Sequence, residues 1–241
     1  MHNEQPMFPE EVVVTDQEID LSHVGASARA QYIAEALALH QDWEKSGATR
    51  RVVGIAGPSG AGKSVFVAVM HDLLAQIDPS LTVIPLTIDA YHFRNDTLHD
   101  KGLAEHKGRY DTYDVAALHQ HLSAFKKGEP VQFPKYSRRL HEPIQEGEHL
   151  PADTSALLIV EGLWLLYPEH GWQDITPLLD QKLFLEDAPE TLRVRTIARH
   201  TRGGRSVSDA EHFYESSDSA NNALVLTTKQ YAERTLFFPS T

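Results

Sequence analysis

Apolar positions along this chain change their period several times, and each change predicts an element. Arg51-Val52-Val53-Gly54-Ile55-Ala56 is an unbroken apolar run suited to a buried parallel strand. Beyond a glycine-rich interval, Phe66, Val69, Met70, Leu73, Leu74 and Ile77 recur at helical spacing and give one buried helix face. Residues 81–88 (Leu-Thr-Val-Ile-Pro-Leu-Thr-Ile) predict the next parallel strand, with Pro85 placing it near an edge or a bulge. Val115, Leu118, Leu122 and Phe125 predict a helix capped by Asp114 and closed by Gly128. Ala156 to Val160 is the clearest buried strand, ending in Glu161-Gly162, and Lys182 to Leu185 is another. Asp187 as cap and Pro189 in the first turn then start a helix. Further helices are predicted over 207–220 and 221–233, and a last strand within 235–238. At the other end, Ile33, Leu37 and Trp43 predict a helix over 27–45 that stops near Gly47, while polar residues 1–24 read as a loose arm or an edge strand. Residues 131–150 alternate weakly, as in a small hairpin. The polar stretch from Asp89 to Tyr113 is too long for an ordinary connection and reads as a functional loop.

Strands alternating with helices predict an α/β fold: a three-layer sandwich with a mainly parallel central sheet and helices on both faces. Residues 49–241 would form that unit, with residues 1–48 as an arm and helix packed on it. The balance of 22 basic and 34 acidic residues, net −12, repels polyanions over long range, so duplex nucleic acid is not expected as the main partner. Absence of cysteine excludes disulfides and cysteine-ligated metal, and fits a reducing cytoplasm. No apolar run approaches a membrane span and the N-terminus lacks a signal-peptide pattern, so a soluble protein without a membrane partner is expected. Fourteen histidines are scattered without His-Glu-x-x-His spacing, and His119 and His121 face different ways on a helix, so zinc is not expected.

The interval between the first strand and its helix carries the chemistry. Gly57, Pro58, Ser59, Gly60, Ala61, Gly62, Lys63 and Ser64 form a complete G-x-x-x-x-G-K-[ST] phosphate-binding loop, with Val65 continuing into the helix. Strand, loop and helix place a row of backbone N–H groups at a positive helix end, where polyphosphate binds. Lys63 would reach the outer phosphates of ATP, and the Ser64 hydroxyl would ligate Mg²⁺. Asp89, delivered at the carboxyl end of a strand, is placed as a general base, although it could also merely cap the next turn. Glu161, at the end of the clearest strand, is placed to contact Mg²⁺ or its water shell, or to act as a plain strand terminator. Arg193, Arg195, Arg199, Arg202 and Arg205 cluster on one helix and the loop after it. Arg195 and Arg199 share a helix face and suit a lid over the phosphates, whereas Arg193 reads as surface.

These motifs together resemble the phosphoribulokinase/uridine kinase group of P-loop kinases, near its fructose-transport-system-kinase-like branch and type I pantothenate kinase. The likeness spans roughly residues 50–235. It rests on Gly57 to Ser64, Asp89-Ala90-Tyr91-His92, Leu98 to Asp114 with Lys107-Gly108, Pro134 to Arg138, Val160 to Leu166, and Asp218-Ser219-Ala220-Asn221. The resemblance implies a P-loop NTPase fold with a helical lid over about 193–217 and an acceptor-site insertion over about 89–150. It implies Asp89 as catalytic base, and Tyr91, His92, Lys107, Tyr136 and Arg138 as acceptor-site residues. Arg195 and Arg199 would belong to the lid, and a homodimer follows only by analogy. It assigns no task to Asp218 or Asn221. The chain departs from the family pattern at Ala90, at Arg109-Tyr110-Asp111, at Leu163 and at Arg138. Three of these positions lie in or near the acceptor site, so they bear on which substrate is used rather than on kinase chemistry.

The expected function is an ATP- and Mg²⁺-dependent kinase acting on a hydroxyl of a small polar metabolite: a sugar or polyol first, then a nucleoside, then a pantothenate-like acid. Asp89, Lys63 and Arg199 would carry the transfer. The alternative is a nucleotide-dependent switch with no small-molecule acceptor. The chain lacks the Asn-Lys-x-Asp guanine signature and the Leu-Ser-Gly-Gly-Gln signature of transport ATPases.

Overall fold

The computed structural model describes residues 6–137, 139–144 and 147–238. The polar N-terminal segment folds back on itself as an antiparallel hairpin, β1 (Glu11–Val14) and β2 (Gln17–Asp20), turning at Thr15 with a left-handed backbone. This replaces the loose arm or edge strand expected of it, for among the described residues the hairpin pairs only with itself and joins neither edge of the central sheet. Helix α1 (Ala26–Ser46) follows and ends at Gly47, whose N–H bonds the Glu44 carbonyl and whose left-handed backbone turns the chain out of the helix.

Strand β3 (Arg50–Ala56), the glycine loop and helix α2 (Lys63–Ile77) come next, then β4 (Thr82–Thr87). After β4 the chain runs through a 3-10 turn at Ile88–Tyr91, a short helix α3 (Asn95–Asp100) and irregular turns to α4 (Val115–Lys126). Asp114 caps α4 as expected, accepting the Ala117 N–H at 2.9 Å. The expected small hairpin exists as two short ladders in line: β5 (Val131–Gln132) with β8 (His149–Leu150), and β6 (Lys135–Ser137) with β7 (Glu142–Ile144). The core resumes with β9 (Ala156–Gly162), β10 (Gln181–Glu186) and α5 (Pro189–Arg202). It closes with α6 (Val207–Phe213), α7 (Ser219–Thr227) and β11 (Arg234–Phe237).

Five parallel strands form the central sheet in the order β11-β10-β3-β9-β4. Strand β4 is an edge, where Pro85 costs no second ladder hydrogen bond. Neighbouring residues on each inner strand serve opposite faces. Val53, Ile55, Leu157 and Ile159 join α1, α2 and the N-terminal hairpin in one core. Val52, Ala56, Leu158 and Val160 pack with α4 and the turns after β9 in the other. Helices therefore cover both faces, the α/β sandwich expected from the strand–helix alternation. Among the described residues no helix is long and apolar enough to cross a membrane.

Two boundaries differ from expectation. The cap of α5 is Ala188 rather than Asp187, whose carboxylate lies just outside the helix, accepting the Ala188 N–H at 2.8 Å through one oxygen and the Arg195 guanidinium at 2.9 Å through the other. The predicted break near residue 220 is absent: α6 runs into α7 through one wide π turn, Tyr214–Asp218, and the helix tightens only at residue 228.

Candidate active site

The glycine loop is wedged between the end of β10 and the first turns of α5. Gly57 has φ +148°, and a Cβ there would lie 2.2 Å from the Leu185 carbonyl oxygen. At Gly60, with φ +84°, it would lie 2.5 Å from the Leu192 carbonyl oxygen. Only glycine fits either position, so the backbone itself is held where phosphate oxygens would meet the N-terminal amides of α2. A cross-brace fixes the loop from behind: the buried Asn222 accepts the Ser59 N–H at 2.7 Å and its amide nitrogen donates to the Ser59 carbonyl at 3.4 Å. Sequence reasoning passed over Asn222, since nothing local in α7 ties it to the loop. Removing both bonds by Asn222→Ala should raise KM for ATP about tenfold, the scale of one or two lost buried hydrogen bonds. Acceptor KM should not move, and steady-state titration of each substrate separates the two; an unmoved KM for ATP would mean the glycines alone set the loop.

Lys63 lies buried in the first turn of α2 with its ammonium donating to the Pro58 carbonyl at 2.9 Å. Burial lowers its pKa to about 8, against the opposing pull of Glu161. Glu161, buried at the end of β9, accepts the Ser64 hydroxyl at 2.9 Å. Burial raises its carboxyl above the usual range, with Lys63 and bonds from Thr87 and Ser64 holding it back. A serine hydroxyl and a carboxylate oxygen side by side at the mouth of a phosphate loop are hard oxygen donors of the type Mg²⁺ takes alongside phosphate and water. The residues fit that ion.

Asp89 stands two residues past β4, on the 3-10 turn, with its side chain 39% exposed. It opens into a cavity of about 600 Å³ that also reaches Ser64, Thr87 and Glu161 and is walled by Pro134, Lys135 and Tyr136. His92 is brought beside it, Nε2 3.7 Å from Asp89 Oδ1. The ring stacks on Tyr113 at 3.9 Å and its Nδ1 meets the Thr112 carbonyl at 3.2 Å, so Nδ1 carries the hydrogen. Burial pushes the His92 pKa down. Lys107 donates to Asn95 Oδ1 at 2.7 Å and to the His141 carbonyl at 2.5 Å, and feels the charges of Glu142 and Asp89.

Tyr91 is not brought to this group: it is buried, and its hydroxyl meets His121 Nδ1 at 2.9 Å. The reason is rotational. Three residues make one 3-10 turn, so Asp89 and His92 eclipse while Tyr91 points elsewhere. Arg138, the remaining expected acceptor residue, lies outside the described residues.

The arginines of α5 and the loop after it take different partners. Arg195 bonds Asp187 at 2.9 Å and reaches the Gly60 carbonyl at 3.5 Å, tying α5 to the loop. Arg199 contributes positive charge at Lys63 and stands 4.0 Å from Asp218. Asp218 also takes His200 Nε2 at 2.7 Å, so the π turn between α6 and α7 aims a carboxylate at two residues of α5. Arg193 faces outward to Glu215 at 3.4 Å. Arg205 lies over the Phe213 ring at 4.1 Å.

Comparison with known proteins gives a consistent setting. The sequence pattern of the phosphoribulokinase/uridine kinase family matches residues 52–237. The chain is 35% identical over 184 residues to the uncharacterized protein YggC of Escherichia coli (strain K12), covering 76% of each. It is 38% identical over 131 residues to a pantothenate kinase of Mesorhizobium japonicum, covering 53% of this chain and 41% of that kinase. The match spans at most about half the length of the curated pantothenate kinases compared. Among solved structures, a candidate fructose transport system kinase from Silicibacter sp. TM1040 superposes with a TM-score of 0.70 at 26% identity, over 78% of this chain and 89% of that one.

Proposed function

We propose that this chain, which belongs to the phosphoribulokinase/uridine kinase family and is in that class a small-molecule kinase, transfers the γ-phosphoryl group of ATP to a hydroxyl of a small polar metabolite. A sugar or polyol is the first choice of acceptor, a nucleoside the second and a pantothenate-like acid the third. The observation that carries the reading is the shared cavity: Asp89 opens into the same space as the Ser64–Glu161 pair, beside an unfilled volume that suits a small metabolite.

In this mechanism the loop amides and Lys63 bind the β- and γ-phosphates, Lys63 exchanging the Pro58 carbonyl for phosphate oxygens. Ser64 and Glu161 would hold Mg²⁺, which when bound offsets charge on the transferring group. Asp89 accepts the proton of the attacking hydroxyl as its oxygen bonds to the γ-phosphorus and the bond to the ADP oxygen breaks. Neutral His92 stands beside Asp89, and Tyr136, its ring 6.2 Å from that of His92, shapes the acceptor end with it. Arg199, steadied by Asp218, lends positive charge above Lys63.

A coupled ADP-release assay with Mg·ATP against sugars, polyols, nucleosides and pantothenate tests the reading. One acceptor raising turnover well above background is the expected result. A flat panel with ATP bound tightly would instead favour a nucleotide-dependent switch.

A further inference from the structure

The family pattern begins at residue 52, so the β1–β2 hairpin lies outside it. The structure nonetheless builds this hairpin into the cavity that holds Asp89. One face of β1, Val12 and Val14, packs with Val67 of α2 in the core. Strand alternation leaves Glu11 and Val13 on the opposite face, and Glu18 pairs across from Val13. Glu11, Val13 and Glu18 line the cavity, as do Val12, Val14 and Thr15, so the cavity runs along β1 and meets β2 at Glu18; Val13 stays 62% exposed although it is a large apolar residue. At the hairpin turn Asp16 accepts the Arg139 N–H at 3.3 Å, joining it to the tip of the β6–β7 hairpin. Two hairpins thus meet beside an opening floored by α2 and the end of β4.

We propose that residues 11–20 form a wall of the acceptor site, and that Glu11 and Glu18 fit it to an uncharged polyhydroxyl acceptor and against one bearing a carboxylate. The inference rests on the kinase reading above. Carboxylates accept hydrogen bonds from neighbouring hydroxyls, and an unpacked valine offers contact to a carbon skeleton. An acceptor carboxylate would face repulsion instead: away from Asp89 and Glu161 the cavity carries Glu11, Glu18 and Asp72 against Lys135 and His71 among the described residues.

The test measures kcat/KM for neutral acceptors (hexoses, pentitols, glycerol) and for their carboxylated counterparts (sugar acids, glycerate). It compares the full chain with the double variants Glu11→Gln/Glu18→Gln and Glu11→Lys/Glu18→Lys. Both positions are exposed, and the glutamine pair serves if the lysine pair folds poorly. Wild type should prefer neutral acceptors, and the variants should raise the acid-to-neutral ratio at least about tenfold, ~1.4 kcal/mol, with KM for Mg·ATP unchanged. An unmoved ratio in active variants, or a wild type that prefers acids, overturns the inference alone. A wild type flat on these acceptors but active on a nucleoside or pantothenate overturns the inference alone, whereas one flat on those as well removes the kinase reading and this inference with it.

Discussion

Asp89→Asn should lower kcat at least ~10²-fold, the scale of general-base loss, while Mg·ATP affinity stays close to wild type. The substitution keeps size and shape and removes only the capacity to take a proton. Nothing nearby replaces it well. His92 Nε2 sits 3.7 Å away, but burial lowers that imidazole's pKa and makes it a weaker proton acceptor than an ordinary histidine. The phosphate contacts should survive, because Lys63 and the glycine loop before it are not among the residues that line the cavity into which Asp89 opens. Folding should survive too, since Asp89 is partly exposed and its negative charge raises the cost of ionising buried Glu161. Steady-state ADP release with a nucleotide-binding titration checks both halves. Near-normal turnover would remove Asp89 from the mechanism, and a parallel loss of ATP affinity would move it to the metal site.

Much of this architecture can be read from sequence because it is written locally. The glycine loop, the strand before it and the helix after it are contiguous, and Asp114 lies within three residues of the N–H it caps. Pro85 announces an edge strand by its missing N–H alone. What escapes such reading is contact across large separations. Asn222 braces Ser59 over 163 residues and Asp16 meets Arg139 over 123, and neither pair leaves a periodic or spaced signal. Tyr91 shows a second limit: a linear motif names neighbours, but the local helical pitch decides which of them face the same way. Asp187 shows a third, for a residue with the chemistry of a cap can sit one position outside the helix and share its carboxylate with a charged partner eight positions on. The loop that holds phosphate is therefore the most legible part of the site and the acceptor wall the least.

Lys63→Met should reduce turnover by ~10²–10³-fold, the range for losing one preorganised donor to developing charge. The loss has two sources. The γ-phosphoryl group forfeits its buried ammonium, and Glu161 forfeits the cation that holds its raised pKa down, which weakens its ability to serve as an ionised ligand. Arginine would not rescue it, because its planar fork cannot fold onto the Pro58 carbonyl as a compact ammonium does. The wild-type pH profile carries the same signature. With the free-enzyme pKa lowered to about 8, kcat/KM for ATP should fall as pH rises through 8 and Lys63 loses its proton. Bound phosphate favours the ammonium, so kcat at saturating ATP should fall only at higher pH. Stability of the free chain should move the opposite way. Between about 8 and the ordinary lysine value of 10.5, the unfolded chain holds a proton that the fold has released, so the contribution of Lys63 to stability rises with pH across that window. Thermal melts and ATP titrations at matched pH, wild type against Lys63→Met, isolate this residue from every other titrating group. Affinity falling while stability rises, with both trends absent from the variant, identifies a buried lysine that the fold holds at a cost and phosphate restores. Parallel trends in the two proteins would place the titrating group elsewhere.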